Sequence, residues 1–74
     1  MTKMKFRKIC VFDRSGIMYD YYEDEETCFS EKYDFKSDTL SIIQLNRNDN
    51  YSMIIETKFF KPTRFIIDFD GVSP

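Results

Sequence analysis

Residues 39–58 read TLSIIQLNRNDNYSMIIETK, and this stretch decides the fold class. In its second half Tyr51, Met53 and Ile55 share one parity, and the polar residues Ser52, Glu56 and Lys58 share the other. This alternation is typical of a half-buried β-strand. The first half is rich in isoleucine, which strands favour. Between them, residues 46–50 (NRNDN) carry the strongest turn chemistry in the chain. The stretch therefore predicts an antiparallel hairpin.

The same signals extend the prediction to the rest of the chain. A turn at 13–16 follows the first apolar run, and Gly16 there can adopt a positive φ. Asp70-Gly71 predicts a second turn, after a strand in which we expect Phe65, Ile67 and Phe69 to face inward. Beside the central hairpin, we expect strands at residues 4–12, 17–22, 28–35 and 63–69. A short helix across residues 23–33 is the alternative to the third of these strands, because acids suit a helix N-terminus.

Composition supports an all-β fold, or a β-rich α+β fold. The 74 residues include 8 Phe, 5 Tyr and 8 Ile, which favour strands, and no alanine, which favours helices. The length suits one small domain spanning residues 1–74. We therefore expect a small antiparallel sheet or barrel of five to six strands.

The absence of histidine removes several classes of enzyme. Ser–His and Cys–His catalytic pairs are impossible, and two cysteines fall short of a zinc site. Only two glycines are present, so there is no glycine-rich phosphate loop. The window Asp20–Glu31 has acids where a calcium-binding EF-hand loop needs them, but Glu25 stands where that loop needs glycine. We expect no catalysis, no cofactor and no dedicated metal site.

Residues 65–72, FIIDFDGV, resemble the first motif of the haloacid-dehalogenase-like phosphatases, an apolar strand followed by Asp-x-Asp-Gly. The resemblance implies a nucleophile at Asp68 and a general acid/base at Asp70, around Mg²⁺. It covers eight residues, and that family places the motif at the start of its domain, with a lysine and further carboxylates downstream. We therefore interpret the motif as a strand that ends at an Asp–Gly turn.

Cys10 and Cys28 are expected to be reduced and buried as small hydrophobes, since residues 1–8 show no signal peptide. No apolar stretch approaches the length of a membrane span. A cytoplasmic location follows as an expectation, and the AT-rich codons of the common residues suggest a low-GC bacterium or one of its phages. A small core with many aromatics also predicts a homodimer, because the sheet edges must be covered.

The strongest candidate for a binding site is an acidic–aromatic stretch. Four consecutive acids at 23–26 repel one another, so we expect all four to face solvent or a basic partner. Tyr21 and Tyr22 have opposite parity on a strand, so at least one faces outward. Tyrosine is enriched in interface cores, and acids steer association with basic surfaces. The predicted binding residues are Tyr19, Asp20, Tyr21, Tyr22, Glu23, Asp24, Glu25 and Glu26.

These features favour a non-catalytic domain that binds a macromolecule, such as a small phage-type or mobile-element regulator or inhibitor of a host protein. The alternative is a small nucleic-acid-binding β-barrel that uses the basic N-terminal strand, with Phe6 and the tyrosines stacking on bases. A charged edge strand that prevents aggregation explains the same lysines. The basic residues of this alternative are Lys3, Lys5, Arg7 and Lys8.

Overall fold

The computed structural model describes residues 5–72, and these form six β-strands and one short 3₁₀ turn. No α-helix occurs among them, so the helix alternative for residues 23–33 is wrong and the strand prediction is confirmed. In chain order the strands are β1 (Lys5–Phe12), β2 (Met18–Tyr22), β3 (Thr27–Asp34), β4 (Thr39–Asn46), β5 (Ser52–Phe60) and β6 (Arg64–Val72).

The strands make two antiparallel three-stranded sheets. Sheet 1 has the order β2-β1-β6 and sheet 2 has the order β3-β4-β5. The predicted hairpin of residues 39–58 is β4 and β5, joined by a 3₁₀ turn at Arg47–Asp49. At its end Asn50 and Tyr51 both adopt left-handed backbone conformations, with φ of 55° and 59°. Asparagine tolerates that conformation well, which is why this segment turns.

The core lies between the central strands of the two sheets. Ile9 and Val11 of β1 and Leu40 and Ile42 of β4 are fully buried, and Phe29 and Phe59 join them. The inward face of β1 is therefore the face of Ile9 and Val11. Cys10 lies on the opposite face. Both Cys10 and Cys28 are only half-buried, so the predicted burial of the two thiols is wrong.

Both cysteines, Cys10 and Cys28, are free thiols, as predicted. The predicted turn at 13–16 is also present, since Gly16 has a φ of +85°. Within residues 5–72 no helix is long and apolar enough to cross a membrane.

The predicted turn at Asp70-Gly71 is not formed. β6 continues to Val72, which pairs with Lys5, and Gly71 pairs with Phe6. Because Phe69 pairs with Arg7, Asp70 is the extra residue of a β-bulge. The backbone of β1 lies alongside and pairs with β6 at these residues. This strand pairing outweighs the local preference of Asp-Gly for a turn.

The side chains on the inward face of β6 become more exposed from the start of the strand toward its end. Phe65 packs against the core, where its ring lies 5.5 Å from that of Tyr33. Ile67 pairs with buried Ile9 and so shares the inward face, but it is 39% exposed, and Phe69 is 54% exposed. The three residues face inward as predicted. None of them is fully buried, because the sheets are too small to cover the whole strand.

Candidate protein-binding surface

The loop at residues 23–26 connects sheet 1 to sheet 2, and backbone hydrogen bonds fix both of its ends. The Glu23 N–H donates to the Arg7 carbonyl (3.0 Å), which extends the β1–β2 ladder by one residue. The Arg47 N–H donates to the Glu26 carbonyl (2.9 Å), which extends the β3–β4 ladder in the same way. Asp24 closes the turn with a 3.0 Å bond from its N–H to the Thr27 carbonyl.

Glu23 does not face solvent, which corrects the prediction for this acid. Its side chain is 5% exposed and accepts hydrogen bonds from two backbone N–H groups, those of Arg7 (2.8 Å) and Phe29 (3.0 Å). The Arg7 guanidinium adds donors at 3.2 and 3.3 Å. Arg7 belongs to sheet 1 and Phe29 to sheet 2, so this single carboxylate joins the two sheets.

A second carboxylate completes the cluster. The Arg7 guanidinium forms a 2.6 Å ion pair with Glu31 of β3 and also donates to the Phe29 carbonyl. The Oε2 atom of Glu31 is buried and has no hydrogen-bond partner among the described residues. We call Arg7, Glu23 and Glu31 the ion-pair cluster. It crosses between the sheets beside the apolar core.

The electrostatics of Glu23 favour its charged form despite the burial. Burial raises the pKa of this carboxyl, but hydrogen bonds from the Phe29 and Arg7 N–H groups and from the guanidinium outweigh it. The net pKa of Glu23 is therefore lowered. The sequence carried a signal for this cluster, because Arg7 has the same parity as Ile9 and Val11 and so points toward sheet 2.

The remaining three acids of the loop divide into one structural residue and two exposed ones. The Asp24 carboxylate accepts hydrogen bonds from the N–H groups of Glu26 (2.8 Å) and Thr27 (2.7 Å), which is an Asx-type turn. Glu25 and Glu26 are exposed, and within residues 5–72 their carboxylates form no hydrogen bond or ion pair. Only these two are available to a partner without rearrangement.

The tyrosines of β2 lie on two different faces of the strand, as the opposite parity of Tyr21 and Tyr22 predicted. Tyr21 turns inward, with its ring 5.6 Å from that of Phe29. Tyr19 packs at 5.3 Å on Phe59 and remains 40% exposed. Tyr22 lies on the outer face of sheet 1 and is 49% exposed. Tyr22 is therefore the outward-facing tyrosine that precedes the exposed acids along the chain.

The outer face of sheet 1 holds a shallow depression of about 270 Å³. Cys10 lies at its centre, between its cross-strand neighbours Asp20 and Ile66. Burial and a hydrogen bond with Asp20 raise the pKa of the Cys10 thiol, so it is less reactive than an ordinary thiol. The lining residues are Lys8, Cys10, Met18, Asp20, Ile66 and Asp68.

The basic residues of the N-terminal strand do not form one patch. Arg7 is engaged in the ion-pair cluster, whereas Lys8 lies on the outer face of sheet 1 with its ammonium 5.4 Å from the Tyr22 ring centre. The Lys5 ammonium lies 5.5 Å from the Phe69 ring centre. Lys3 is outside the described residues. A continuous basic stripe along β1 is therefore not present in residues 5–8.

Two acidic patterns in the sequence resemble metal-binding motifs, and the structure shows the contacts of one acid from each. Among the side chains that the structure describes, those of residues 5–69, no group of three or more histidine, cysteine, aspartate or glutamate residues is placed to hold a metal ion. Glu31, the last acid of the EF-hand-like window, is paired with Arg7. Asp68, the first aspartate of the phosphatase-like motif, accepts a hydrogen bond from the N–H of Phe69 (2.7 Å).

Comparison with known proteins adds no relative to this picture. No protein-family model matches the chain, and no curated protein or solved structure matches it.

Proposed function

We propose that this protein is a non-catalytic domain that binds a basic surface on another protein. The observation that carries the proposal is that Tyr22, a half-exposed ring on the outer face of sheet 1, precedes the exposed acids Glu25 and Glu26 by three and four residues along the chain. Together with Asp20 on the same outer face as Tyr22, we call these residues the acidic–aromatic surface. The Lys8 ammonium lies over the Tyr22 ring, so Tyr22 supplies the aromatic anchor of this surface and the three acids supply its negative charge. An aromatic anchor flanked by acids suits an interface hot spot with a basic partner.

The ion-pair cluster gives this surface a fixed shape. The buried carboxylate of Glu23 anchors the start of the loop, and the Asp24 carboxylate and Arg47 hold the remainder. The Arg47 side chain donates to the Asp24 carbonyl at 3.0 Å. A loop that is ordered before binding loses less conformational entropy on association. Less of the binding energy from Tyr22 and the two acids is therefore needed to order the loop, and more of it contributes to affinity.

The biological role we infer is that of a small cytoplasmic regulator or inhibitor of a host protein, of the kind that phages and mobile elements encode. Composition supports this inference, since the chain is short, lacks histidine and is rich in residues with AT-rich codons. The mechanism would be occlusion, in which the acidic–aromatic surface covers a basic site on the target.

The test begins with a pull-down from a low-GC bacterial lysate, followed by kinetics with the purified partner. Glu25→Gln with Glu26→Gln should slow association and flatten its dependence on ionic strength, because exposed charges act mainly on the on-rate. Tyr22→Ala should instead speed dissociation, since it removes a packed anchor. The matched control, Asp34→Asn with Asp49→Asn, removes the same number of negative charges at positions outside this surface.

Two results would contradict the proposal. If the Glu25/Glu26 variant and the Asp34/Asp49 control have equal effects, only net charge matters and the surface is elsewhere. If the protein instead binds nucleic acid with an affinity that falls steeply with salt, the nucleic-acid alternative is correct.

A further inference from the structure

The free edge of β5 is an apolar feature that the proposed function leaves unused. Within the described residues β5 pairs on one side only, with β4. Met53, Ile54, Ile55 and Phe60 along it are 62%, 55%, 49% and 62% exposed. An edge strand of this length presents unpaired backbone N–H and C=O groups that another strand can satisfy.

We propose that this edge pairs with the same edge of a second copy, antiparallel and centred on Thr57. In a two-fold arrangement about Thr57, each Glu56 lies directly opposite Lys58 of the second copy, and each Lys58 lies opposite its Glu56. Each Ile55 lies opposite Phe59 of the second copy. The result is one six-stranded sheet that continues through both subunits.

The observed register places these side chains on the faces that the pairing requires. Phe59 and Thr57 are the cross-strand partners of Leu40 and Ile42, which are buried, so they share the inward face. Glu56 and Lys58 pair with Ile43 and Ser41 and lie on the outer face. Opposite charges directly across an antiparallel pair stabilise it, and like charges oppose it.

The charges of Glu56 and Lys58 are uncommitted in the single subunit. Neither side chain forms a hydrogen bond or an ion pair within residues 5–72. Both acquire an opposite partner in the two-fold pairing. Charge complementarity of a strand with its own copy is what an isologous interface needs.

The edge of β6 offers a similar spacing, with Arg64 and Asp68 four residues apart, but its charges already have partners. The Arg64 guanidinium lies 5.8 Å from the Phe12 ring centre, and Asp68 accepts a bond from the Phe69 N–H. Glu56 and Lys58 of β5 form no such contacts within the described residues, so the β5 edge is the one that we propose.

Glu56 and Lys58 are charged edge residues, which can block edge pairing, but in this arrangement each meets an opposite charge. A charge that points inward would also block edge pairing, but residues 55, 57 and 59 are Ile, Thr and Phe. The bulge on β5 is at Ile54, the extra residue between the Gln44–Ile55 and Leu45–Met53 pairs. It therefore lies outside the five residues from Ile55 to Phe59 that carry the proposed pairing.

Sedimentation equilibrium on charge-reversal variants tests the proposal. The wild-type chain should sediment at twice its 9.0 kDa mass at micromolar concentration. Glu56→Lys and Lys58→Glu should each weaken dimerisation by roughly tenfold or more, because symmetry places every like-charge contact in the interface twice. Mixing the two single variants should restore a dimer, and so should the double variant that carries both substitutions.

The rescue by mixing separates specific pairing from loss of folding, since each variant alone must be folded to recover. The matched control is Arg64→Glu, which reverses one charge on the β6 edge and should leave the mass unchanged. A wild-type mass of 9.0 kDa up to millimolar concentration would overturn the proposal. So would single variants that remain dimeric, or a dimer that Arg64→Glu dissociates.

Discussion

Replacing Glu23 by serine should destabilise the protein strongly, although serine at any other acid of the 23–26 run should be tolerated far better. The reason is that the Glu23 carboxylate accepts the buried N–H groups of Arg7 and Phe29, which come from different sheets. A serine side chain is too short to reach either donor. Glu25, two residues away and exposed, provides the matched control.

The magnitude follows from the groups left without partners. Each buried N–H that loses its acceptor costs about 1–3 kcal/mol. The Arg7 guanidinium keeps Glu31 and the Phe29 carbonyl, so its charge is not left unpaired. The total for the two N–H groups is therefore about 2–6 kcal/mol. The whole domain has about 4–11 kcal/mol of stability at 0.05–0.15 kcal/mol per residue, so the loss is a large fraction.

Urea denaturation and thermal melting followed by circular dichroism measure this difference. For a domain of this size a loss of about 2–6 kcal/mol corresponds to a fall in Tm of roughly 10 °C or more. Glu25→Ser should stay within about 0.5 kcal/mol of wild type, as exposed substitutions do. If both variants unfold at the same urea concentration, Glu23 does not join the sheets and the reasoning fails.

Further predictions concern pH, a turn and the thiols. The folded-state pKa of Glu23 is below its ordinary value of 4.5, so the stability that the charged carboxylate contributes is complete above pH 4.5 and is lost as the pH falls through the folded-state pKa. The difference in unfolding free energy between wild type and Glu23→Gln should therefore shrink in acid, and a difference that stays constant down to pH 2 would contradict this. Gly16→Ala should cost about 1 kcal/mol from its positive φ alone, because no atom lies within 4 Å of the added methyl; an unchanged urea midpoint would show that the turn relaxes freely. A reducing agent should leave Tm unchanged, since Cys10 and Cys28 are free, and a fall of many degrees would reveal a disulfide. At pH 8 iodoacetamide should alkylate Cys10 more slowly than an unhindered peptide thiol, as mass spectrometry can measure; an equal rate would contradict the raised pKa.

The structure also changes how the acidic run should be tested. Removing all four acids together, from Glu23 to Glu26, combines a folding defect with the loss of surface charge. Glu23 belongs to the ion-pair cluster and Asp24 closes the turn, so neither reports on partner binding. Only the Glu25/Glu26 pair isolates the effect of charge on association.

Most of the strands could be predicted from the sequence because their signals are local. The asparagine-rich turn at 46–50 acts within a few residues, and the observed hairpin turns there. The alternation in residues 51–58 predicted the strand, but its single half-buried face is wrong. The bulge at Ile54 pairs Met53 with Leu45 and Ile55 with Gln44, on opposite faces, and both side chains are exposed. Tyr21 and Tyr22 take opposite faces because successive side chains of any strand alternate. The turn and this alternation need no knowledge of what packs on the strand.

The tertiary structure decided which faces are buried and which charges are paired. Glu23 appears in the sequence as one of four exposed acids, and it is buried only because Arg7, sixteen residues earlier, supplies a guanidinium and an N–H at that point. Asp70-Gly71 has the local chemistry of a turn, yet β1 lies alongside and extends it as a strand. A buried charge or an extended Asp-Gly is stable only with a partner that lies far away along the chain. A pattern of neighbouring residues does not contain that partner, so it predicts neither feature.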